Sequence, residues 1–152
     1  MKSIKRILFV CTGNSCRSIM AEAYAKKRFP EEGLLLEVRS AGTIGLDGVP
    51  ASPEALKVIE DEGMDPSGYG STALTAELIE WADIILVMEP HHMVSIISMV
   101  PEAENKVRYL GGMNKNKSVV MIPDPIGKPL SFYRISFRII KSSIEELIKW
   151  LN

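Results

Sequence analysis

Residues 4–18 have the sequence IKRILFVCTGNSCRS, and this stretch decides the fold. Residues 4–10 form a nearly continuous apolar run rich in branched side chains, which is typical of a strand buried on both faces. Small and polar residues follow, and residues 17–29 then carry apolar side chains at helical spacing until Pro30. A buried strand, a short loop and a helix together predict the first unit of a parallel α/β fold.

Strand and helix signals alternate along the rest of the chain. Three further apolar runs predict strands, at residues 34–39, 83–88 and 106–110. Four further helices are predicted, over residues 52–62, 75–81, 91–99 and 133–151. Strands separated by helices favour a parallel sheet covered by helices on both faces.

Length and composition bound the class of protein. The chain has 152 residues, 46% of them hydrophobic and 24% charged, which suits a single domain over residues 1–152. The net charge of -1 argues against a nucleic-acid platform or a polybasic membrane anchor. Apolar runs stay below the ~18 residues of a membrane span, and the first run is too short for a signal peptide. We therefore expect a cytoplasmic domain without a nucleic-acid partner.

The chain has two cysteines, Cys11 and Cys16, which are too few and too close for a disulfide scaffold. Zinc usually takes four ligands, and the neighbouring His91 and His92 are poorly placed to complete a site with these thiols. No metal site is predicted.

The loop after the first strand has the chemistry of an anion site. Ligands of such sheets bind at the carboxyl ends of strands, near the point where the strand order reverses. Gly13 and Asn14 tolerate positive φ, so that successive backbone N–H groups can face one point. The following helix directs its free N–H groups there, and Arg17 adds a planar fork that matches two phosphoryl oxygens.

Cys11 stands at the mouth of this loop, where amide donors and a guanidinium favour the nucleophilic thiolate. Ser18 is placed to donate its hydroxyl to the sulfur. The alternative, a cysteine that only fills space at a strand end, is weakened by Gly13 and Arg17. For Cys16 two interpretations stay open: a packed side chain, or a partner that traps Cys11 as a reversible disulfide under oxidation. Peptide mapping after peroxide treatment distinguishes them.

A thiolate that expels an alkoxide or amine needs a proton donor on the leaving-group side. Asp124 is the candidate, because Pro123 and Pro125 stiffen the backbone on either side of it. A simple Asp-Pro turn is the equally weighted alternative.

These residues together resemble low-molecular-weight protein tyrosine phosphatases of the bacterial type. The resemblance follows the family's order along the chain, through residues 10–18, 20–22, 39–43, 50–51, 82–83 and 124–125, with Met88, Gly127 and Tyr133. It implies a three-layer α/β fold with a four-stranded parallel sheet. It also implies an enzyme without metal or cofactor that acts on a phosphorylated protein, with inorganic phosphate as product and inhibitor.

The resemblance also implies residue roles. Cys11 is the nucleophile, Arg17 the phosphate clamp, and Asp124 the general acid that later activates water. Asn14 and Ser40 brace the loop. The phosphate-binding residues are those of the loop and helix start: Thr12, Gly13, Asn14, Ser15, Cys16, Arg17 and Ser18.

The chain departs from the family pattern at three places. Ile19 replaces the usual proline after the Arg-Ser pair, and the helix is still expected to form. Tyr69 stands where members often carry a histidine of the bracing network. Ile126 and Gly127 replace the aromatic pair that lines the pocket of eukaryotic members.

Substrate choice has more than one interpretation. A small hydroxyl residue at the position of Ser15 is associated with some members that act on phosphoarginine, so a protein-arginine phosphatase is the main alternative to phosphotyrosine hydrolysis. An arsenate reductase is disfavoured because no cysteine follows Cys16. A phosphate-sensing domain without turnover is disfavoured by the intact reactive residues. Leu46, Asp47 and the two histidines either line the mouth of the site or are ordinary solvated positions.

Overall fold

Four parallel strands form one sheet in the computed structural model, which describes residues 3–114 and 121–152. The strands are β1 (Arg6–Cys11), β2 (Glu37–Gly42), β3 (Ile84–Val87) and β4 (Val107–Tyr109). Their order is β2-β1-β3-β4, and each neighbouring pair is parallel. The expectation of a four-stranded parallel sheet is confirmed.

Helices connect the strands. They are α1 (Arg17–Glu31), α2 (Pro53–Asp61), α3 (Ala76–Trp81), α4 (Pro90–Met99) and α5 (Leu130–Leu151), with short 3₁₀ turns at Pro101–Lys106 and Gly111–Met113. Ser52 and Thr75 cap α2 and α3 by accepting backbone N–H groups at 3.1 Å, as their sequence positions predict. Within the described part of the chain, no helix is both long and apolar enough to cross a membrane.

The alternating side chains of β1 divide the core into two layers. Ile7 and Phe9 face a buried cluster that includes residues of α1, α2 and α5. Leu8 and Val10 face the opposite side, where residues of α3 and α4 cover the sheet. All four side chains are fully buried, so the continuous apolar run of β1 reflects a strand covered on both faces.

Several element boundaries differ from the predicted ones, and two of these differences involve the first two strands and the helix between them. The second strand lies about three residues later than predicted, because β2 pairs with β1 up to the Cys11–Gly42 position while Leu35 is 90% exposed. Pairing with the central strand therefore outweighs the local apolar run. Helix α1 passes through Pro30 and ends one residue later, at Glu31, so the proline predicted to close the helix lies inside its last turn.

The strand order places the site. The chain runs from β1 to β2 on one side of β1, and β3 then pairs with the other side of β1. The carboxyl ends of β1 and β3 therefore flank the crevice at which the strand order reverses, where ligands of open α/β sheets bind. Cys11 ends β1, and Glu89 lies two residues beyond β3.

Candidate active site

The loop between β1 and α1 is held against the end of β2. Asn14 has φ of 51°, in the left-handed region that asparagine tolerates better than most residues. Gly42 of β2 lies directly behind the loop: a Cβ atom there would be 2.7 Å from the Thr12 carbonyl oxygen and 2.9 Å from the Asn14 nitrogen. Only glycine leaves room for the loop in this shape.

A chain of hydrogen bonds between neutral groups reaches the Cys11 sulfur. Asn14 Nδ2 donates to Ser18 Oγ at 2.6 Å and to Ser40 Oγ at 3.0 Å. Ser18 Oγ lies 2.9 Å from Cys11 Sγ. Because Ser18 already accepts from Asn14, its own proton is free to point at the sulfur, where it stabilises a thiolate.

The orientation of the Asn14 amide is fixed from outside the loop. The Thr72 backbone N–H donates to Asn14 Oδ1 at 2.8 Å, which leaves the amide nitrogen for the two serines. Ser40 in turn donates to the Glu22 carboxylate of α1. Asn14 is fully buried, so these hydrogen bonds satisfy an amide that water cannot reach.

Arg17 begins α1 and is 1% exposed. Its Nη1 donates to Glu89 Oε2 at 2.7 Å and to the Ile122 carbonyl oxygen at 2.8 Å. Its Nη2 lies 3.4 Å from both Thr12 Oγ1 and Asp124 Oδ2. Burial opposes the charge of Glu89, but the hydrogen bond and charge of Arg17 outweigh it and lower the pKa of that carboxyl. The guanidinium is thus anchored through one nitrogen and faces the loop with the other.

His92 of α4 is fully buried behind Thr12. Its Nδ1 accepts the backbone N–H groups of Met88 and Glu89 at 3.3 and 3.1 Å, and its Nε2 lies 2.9 Å from Thr12 Oγ1. Burial lowers the pKa of His92 to about 3, with smaller contributions from the charges of His91 and Arg17. The ring is therefore neutral near pH 7.

The segment that carries Asp124 is tied to the sheet and to α5. The Ile122 N–H donates to the Met88 carbonyl at 3.0 Å, and Ser136 Oγ of α5 donates to the Pro123 carbonyl at 2.9 Å. Asp124 Oδ1 accepts the Ile126 N–H at 3.1 Å, while Oδ2 faces Arg17. The side chain is 35% exposed, so it borders both the site and the solvent.

Thiol, guanidinium and carboxylate meet at one cavity of about 190 Å³. Its lining consists of Cys11, Thr12, Gly13, Ser15, Cys16, Arg17, Ile44, Asp124 and Ile126. The arrangement combines a thiol, a guanidinium and a carboxyl group around an anion-sized space, which is suited to transfer of a phosphoryl group to sulfur.

Comparison with known protein families agrees with the phosphoryl-transfer chemistry for which the site is suited. Residues 6–152 match the model of the low molecular weight phosphotyrosine protein phosphatases. The chain belongs to this family.

Relatives in this phosphatase family carry two kinds of name. A protein-arginine-phosphatase of Geobacillus stearothermophilus is 35% identical, over 97% of this chain and 96% of its own. The low molecular weight protein-tyrosine-phosphatase Etp of Escherichia coli K12 is 34% identical, over 96% and 94%. A solved structure of the YwlE arginine phosphatase, a cysteine-to-serine mutant with a phosphorylated active-site serine, superposes with a TM-score of 0.89 at 34% identity, over 96% and 95% of the two chains.

The phosphatase loop gathers most of the residues that the sequence singles out. Cys11, Arg17 and Asp124 share the cavity, and Asn14 and Ser40 are hydrogen-bonded to each other. Ile19 is buried within α1, so the helix forms without the family's proline, as expected.

Tyr69, at the position where family members often carry a histidine of the bracing network, makes no hydrogen bond to Asn14 or Ser40 among the described residues. Glu22, from α1, is the residue that accepts the Ser40 hydroxyl, and Tyr69 instead has Lys26 6.0 Å above its ring. Tyr69 lines a separate cavity of about 540 Å³ behind the loop, where burial raises the pKa of its phenol to about 12. The Glu22 carboxylate reaches Ser40 from helix α1. Comparing the sequence of residues 68–70 with the family pattern does not reveal this contact.

Cys16 is buried, with its sulfur 3.7 Å from Tyr133 Oη and 3.6 Å from Ser15 Oγ. Both cysteines are free thiols. These contacts agree with the interpretation of Cys16 as a packed side chain, and the reversible disulfide with Cys11 stays a prediction.

Sequence reasoning missed Glu89 and Thr72, and it placed His92 either at the mouth of the site or in solvent, whereas the structure buries His92 behind Thr12. One signal was available for Glu89, since it follows the strand that neighbours β1 at its carboxyl end. The two histidines have different environments, because His91 is 56% exposed while His92 is fully buried. Glu89, His91 and His92 place ligand atoms within 4.8 Å of one another, but Arg17 and Thr12 already engage Glu89 and His92.

Proposed function

We propose that this protein hydrolyses phosphotyrosine in proteins through a cysteinyl-phosphate intermediate, without a metal. The observation that carries the proposal is the cavity shared by Cys11, Arg17 and Asp124, together with the buried Ser18 hydroxyl that lies 2.9 Å from the Cys11 sulfur. Membership of the phosphatase family supports the same reaction.

In the first step, the Cys11 thiolate attacks the phosphorus of the bound ester. A sulfur–phosphorus bond forms as the bond to the phenolic oxygen breaks, and Asp124 gives its proton to that oxygen. Backbone N–H groups of residues 12–17 and the Nη2 side of the Arg17 guanidinium, which faces the loop, hold the equatorial oxygens, where charge accumulates in the transition state.

In the second step, water attacks the phosphocysteine while Asp124 accepts its proton. The sulfur–phosphorus bond breaks, inorganic phosphate forms, and Cys11 returns as the thiolate. Ser18 stabilises this leaving thiolate through its hydroxyl. Inorganic phosphate fits the same cradle, so it should inhibit competitively.

The test is turnover of a phosphotyrosine peptide and of para-nitrophenyl phosphate, without added metal. Cys11→Ser should abolish turnover and keep phosphate affinity, since the cradle remains. Cys16→Ser is the matched control, because it removes the other thiol of the loop and should retain turnover. Near wild-type turnover by Cys11→Ser would overturn the mechanism.

A protein-arginine phosphatase is the second candidate, favoured by Ser15 in the lining of the cavity. The walls nearest the loop are Ile44 and Ile126, rather than an aromatic pair that would stack on a phenol ring. The same two steps would then cleave a phosphorus–nitrogen bond, with Asp124 protonating the nitrogen.

The two substrates are separated by measuring kcat/KM on phosphotyrosine and phosphoarginine peptides of one sequence. Ser15→Ile should lower the ratio of phosphoarginine to phosphotyrosine turnover if Ser15 favours phosphoarginine. Ser15→Thr, which keeps the hydroxyl, is the control and should preserve the wild-type ratio. A wild-type preference for phosphoarginine would replace the main proposal with the second candidate.

A further inference from the structure

The buried His92 has a fixed direction of hydrogen bonding. Its Nδ1 accepts two backbone N–H groups, from Met88 and Glu89, so that nitrogen carries no proton. The ring proton of the neutral imidazole must then lie on Nε2. His92 therefore donates to Thr12 Oγ1 across 2.9 Å.

The Thr12 hydroxyl receives two donors. His92 Nε2 donates from one side, and Arg17 Nη2 donates at 3.4 Å from another. A hydroxyl has two acceptor lone pairs and one proton. With both lone pairs used, Thr12 can act only as a donor toward any third group.

The cavity is the place where a group that accepts this proton can lie. Thr12 lines the space shared by Cys11, Arg17 and Asp124, and no further partner of its hydroxyl is found among residues 3–114 and 121–152. Arg17 Nη2 lies 3.4 Å from both Thr12 Oγ1 and Asp124 Oδ2, so the hydroxyl belongs to the Asp124 side of the cavity.

We propose that the Thr12 side chain donates a hydrogen bond to an oxygen of the bound phosphoryl group, and that His92 is a positioning residue that fixes the direction of this donor. The inference rests on the proposed phosphatase function. It adds a side-chain donor to the backbone N–H groups of the loop.

A purely structural role for His92 is the competing explanation, because the same ring accepts the N–H groups at the start of α4. His92→Asn separates the two roles. The asparagine carbonyl oxygen replaces Nδ1 as acceptor for Met88 and Glu89, while the shorter side chain has no donor at the position of Nε2. Thr12→Val removes the hydroxyl and keeps the shape of the side chain.

The experiment is a double-mutant cycle of Thr12→Val and His92→Asn, which measures whether the two residues act through one interaction. Affinity for inorganic phosphate is measured by calorimetry in the Cys11→Ser background, and kcat/KM for para-nitrophenyl phosphate with Cys11 present. Thr12→Val should weaken phosphate binding about tenfold or more, as expected for a hydrogen bond to a charged group. His92→Asn should weaken it less, and should have no further effect once Thr12 is valine.

Thr12→Ser keeps the hydroxyl and should restore most of the affinity that Thr12→Val loses. Wild-type affinity in Thr12→Val, or an undiminished effect of His92→Asn in the Thr12→Val background, would overturn the inference. The binding cycle does not require turnover. An inactive wild-type enzyme would therefore contradict the proposed function, while the cycle would still decide the role of Thr12 and His92.

Discussion

On the Cys11 side of the loop, the groups next to the sulfur are neutral hydrogen-bond donors and acceptors, whereas on the Arg17 side two carboxylates face the guanidinium. Glu22 also serves the Cys11 side, but Ser40, Asn14 and Ser18 separate it from the sulfur. A carboxylate beside a thiolate would disfavour the thiolate by charge repulsion. A guanidinium, in contrast, is held in one orientation by groups that accept its N–H hydrogen bonds. Negatively charged groups thus contact the Arg17 guanidinium, and neutral groups contact the Cys11 sulfur.

The largest expected effect comes from removing the carboxyl group that borders the cavity on the Arg17 side. Asp124→Asn should reduce kcat by roughly 10²–10⁴-fold, the range for loss of a general acid. The asparagine keeps an oxygen that accepts the Ile126 N–H, so the local turn is retained. Asp124→Ala loses both this acceptor and the acidic group. The loss should shrink on aryl phosphates with good leaving groups. An equal loss on all leaving groups would assign Asp124 a structural role.

Ser18→Ala tests the Cys11 side of the loop, because it removes the hydroxyl that lies 2.9 Å from the Cys11 sulfur. Turnover should fall roughly 10–100-fold, as for a hydrogen bond to a charged group. Ser98→Ala is the control, because that exposed serine of α4 bonds only to the Val94 carbonyl among described partners. Unchanged kcat in Ser18→Ala would show that the sulfur does not depend on its neutral brace.

Two conservative variants sharpen the difference between the sides. Glu89→Gln keeps an oxygen near Arg17 and removes the charge, and should reduce kcat/KM about fivefold, since charge-assisted hydrogen bonds are roughly twice as strong as neutral ones. Glu22→Gln should have a smaller effect, because Glu22 reaches the sulfur only through three neutral residues. Equal losses in the two variants would contradict the distinction.

The smallest expected effect is the contribution of His92 to the pH dependence of the free energy of unfolding. The pKa of His92 is lowered from 6.5 to about 3 in the folded protein. At pH values between these two, the unfolded chain binds a proton at His92 and the folded protein does not. The free energy of unfolding should therefore fall as the pH drops from about 6.5 toward 3, and this contribution is constant above that range.

Urea unfolding at pH 7.5 and 4.5 tests this. Wild-type protein should lose more stability on acidification than His92→Asn, which has no imidazole to protonate at that position. His91→Asn, a change at the exposed neighbour, should retain most of the wild-type fall, because burial is the main cause of the lowered pKa of His92 and the charge of His91 contributes less. Identical acid dependence in wild type and His92→Asn would refute the expectation.

The sequence predicts those parts of the site whose signal lies in a few neighbouring residues. The loop could be inferred from Gly13, Asn14 and Arg17 because they follow one buried strand, and Asp124 because two prolines flank it. His92 could not, since a neighbouring histidine in the same helix is exposed and periodicity does not assign a partner. The shift of β2 has the same origin: its register is set by β1, a contact between distant segments.

Gly42 has a further consequence, for the rate of ligand binding. The end of β2 lies within Cβ contact distance of the loop backbone, so the loop is shaped by the sheet before any anion arrives. On the proposed function, phosphate then enters a loop whose backbone shape is already set, and no slow rearrangement of the loop precedes the encounter. Association should follow a single concentration-dependent phase in rapid mixing. A methyl group at Gly42 would introduce a second, concentration-independent phase by displacing the loop from the edge that shapes it.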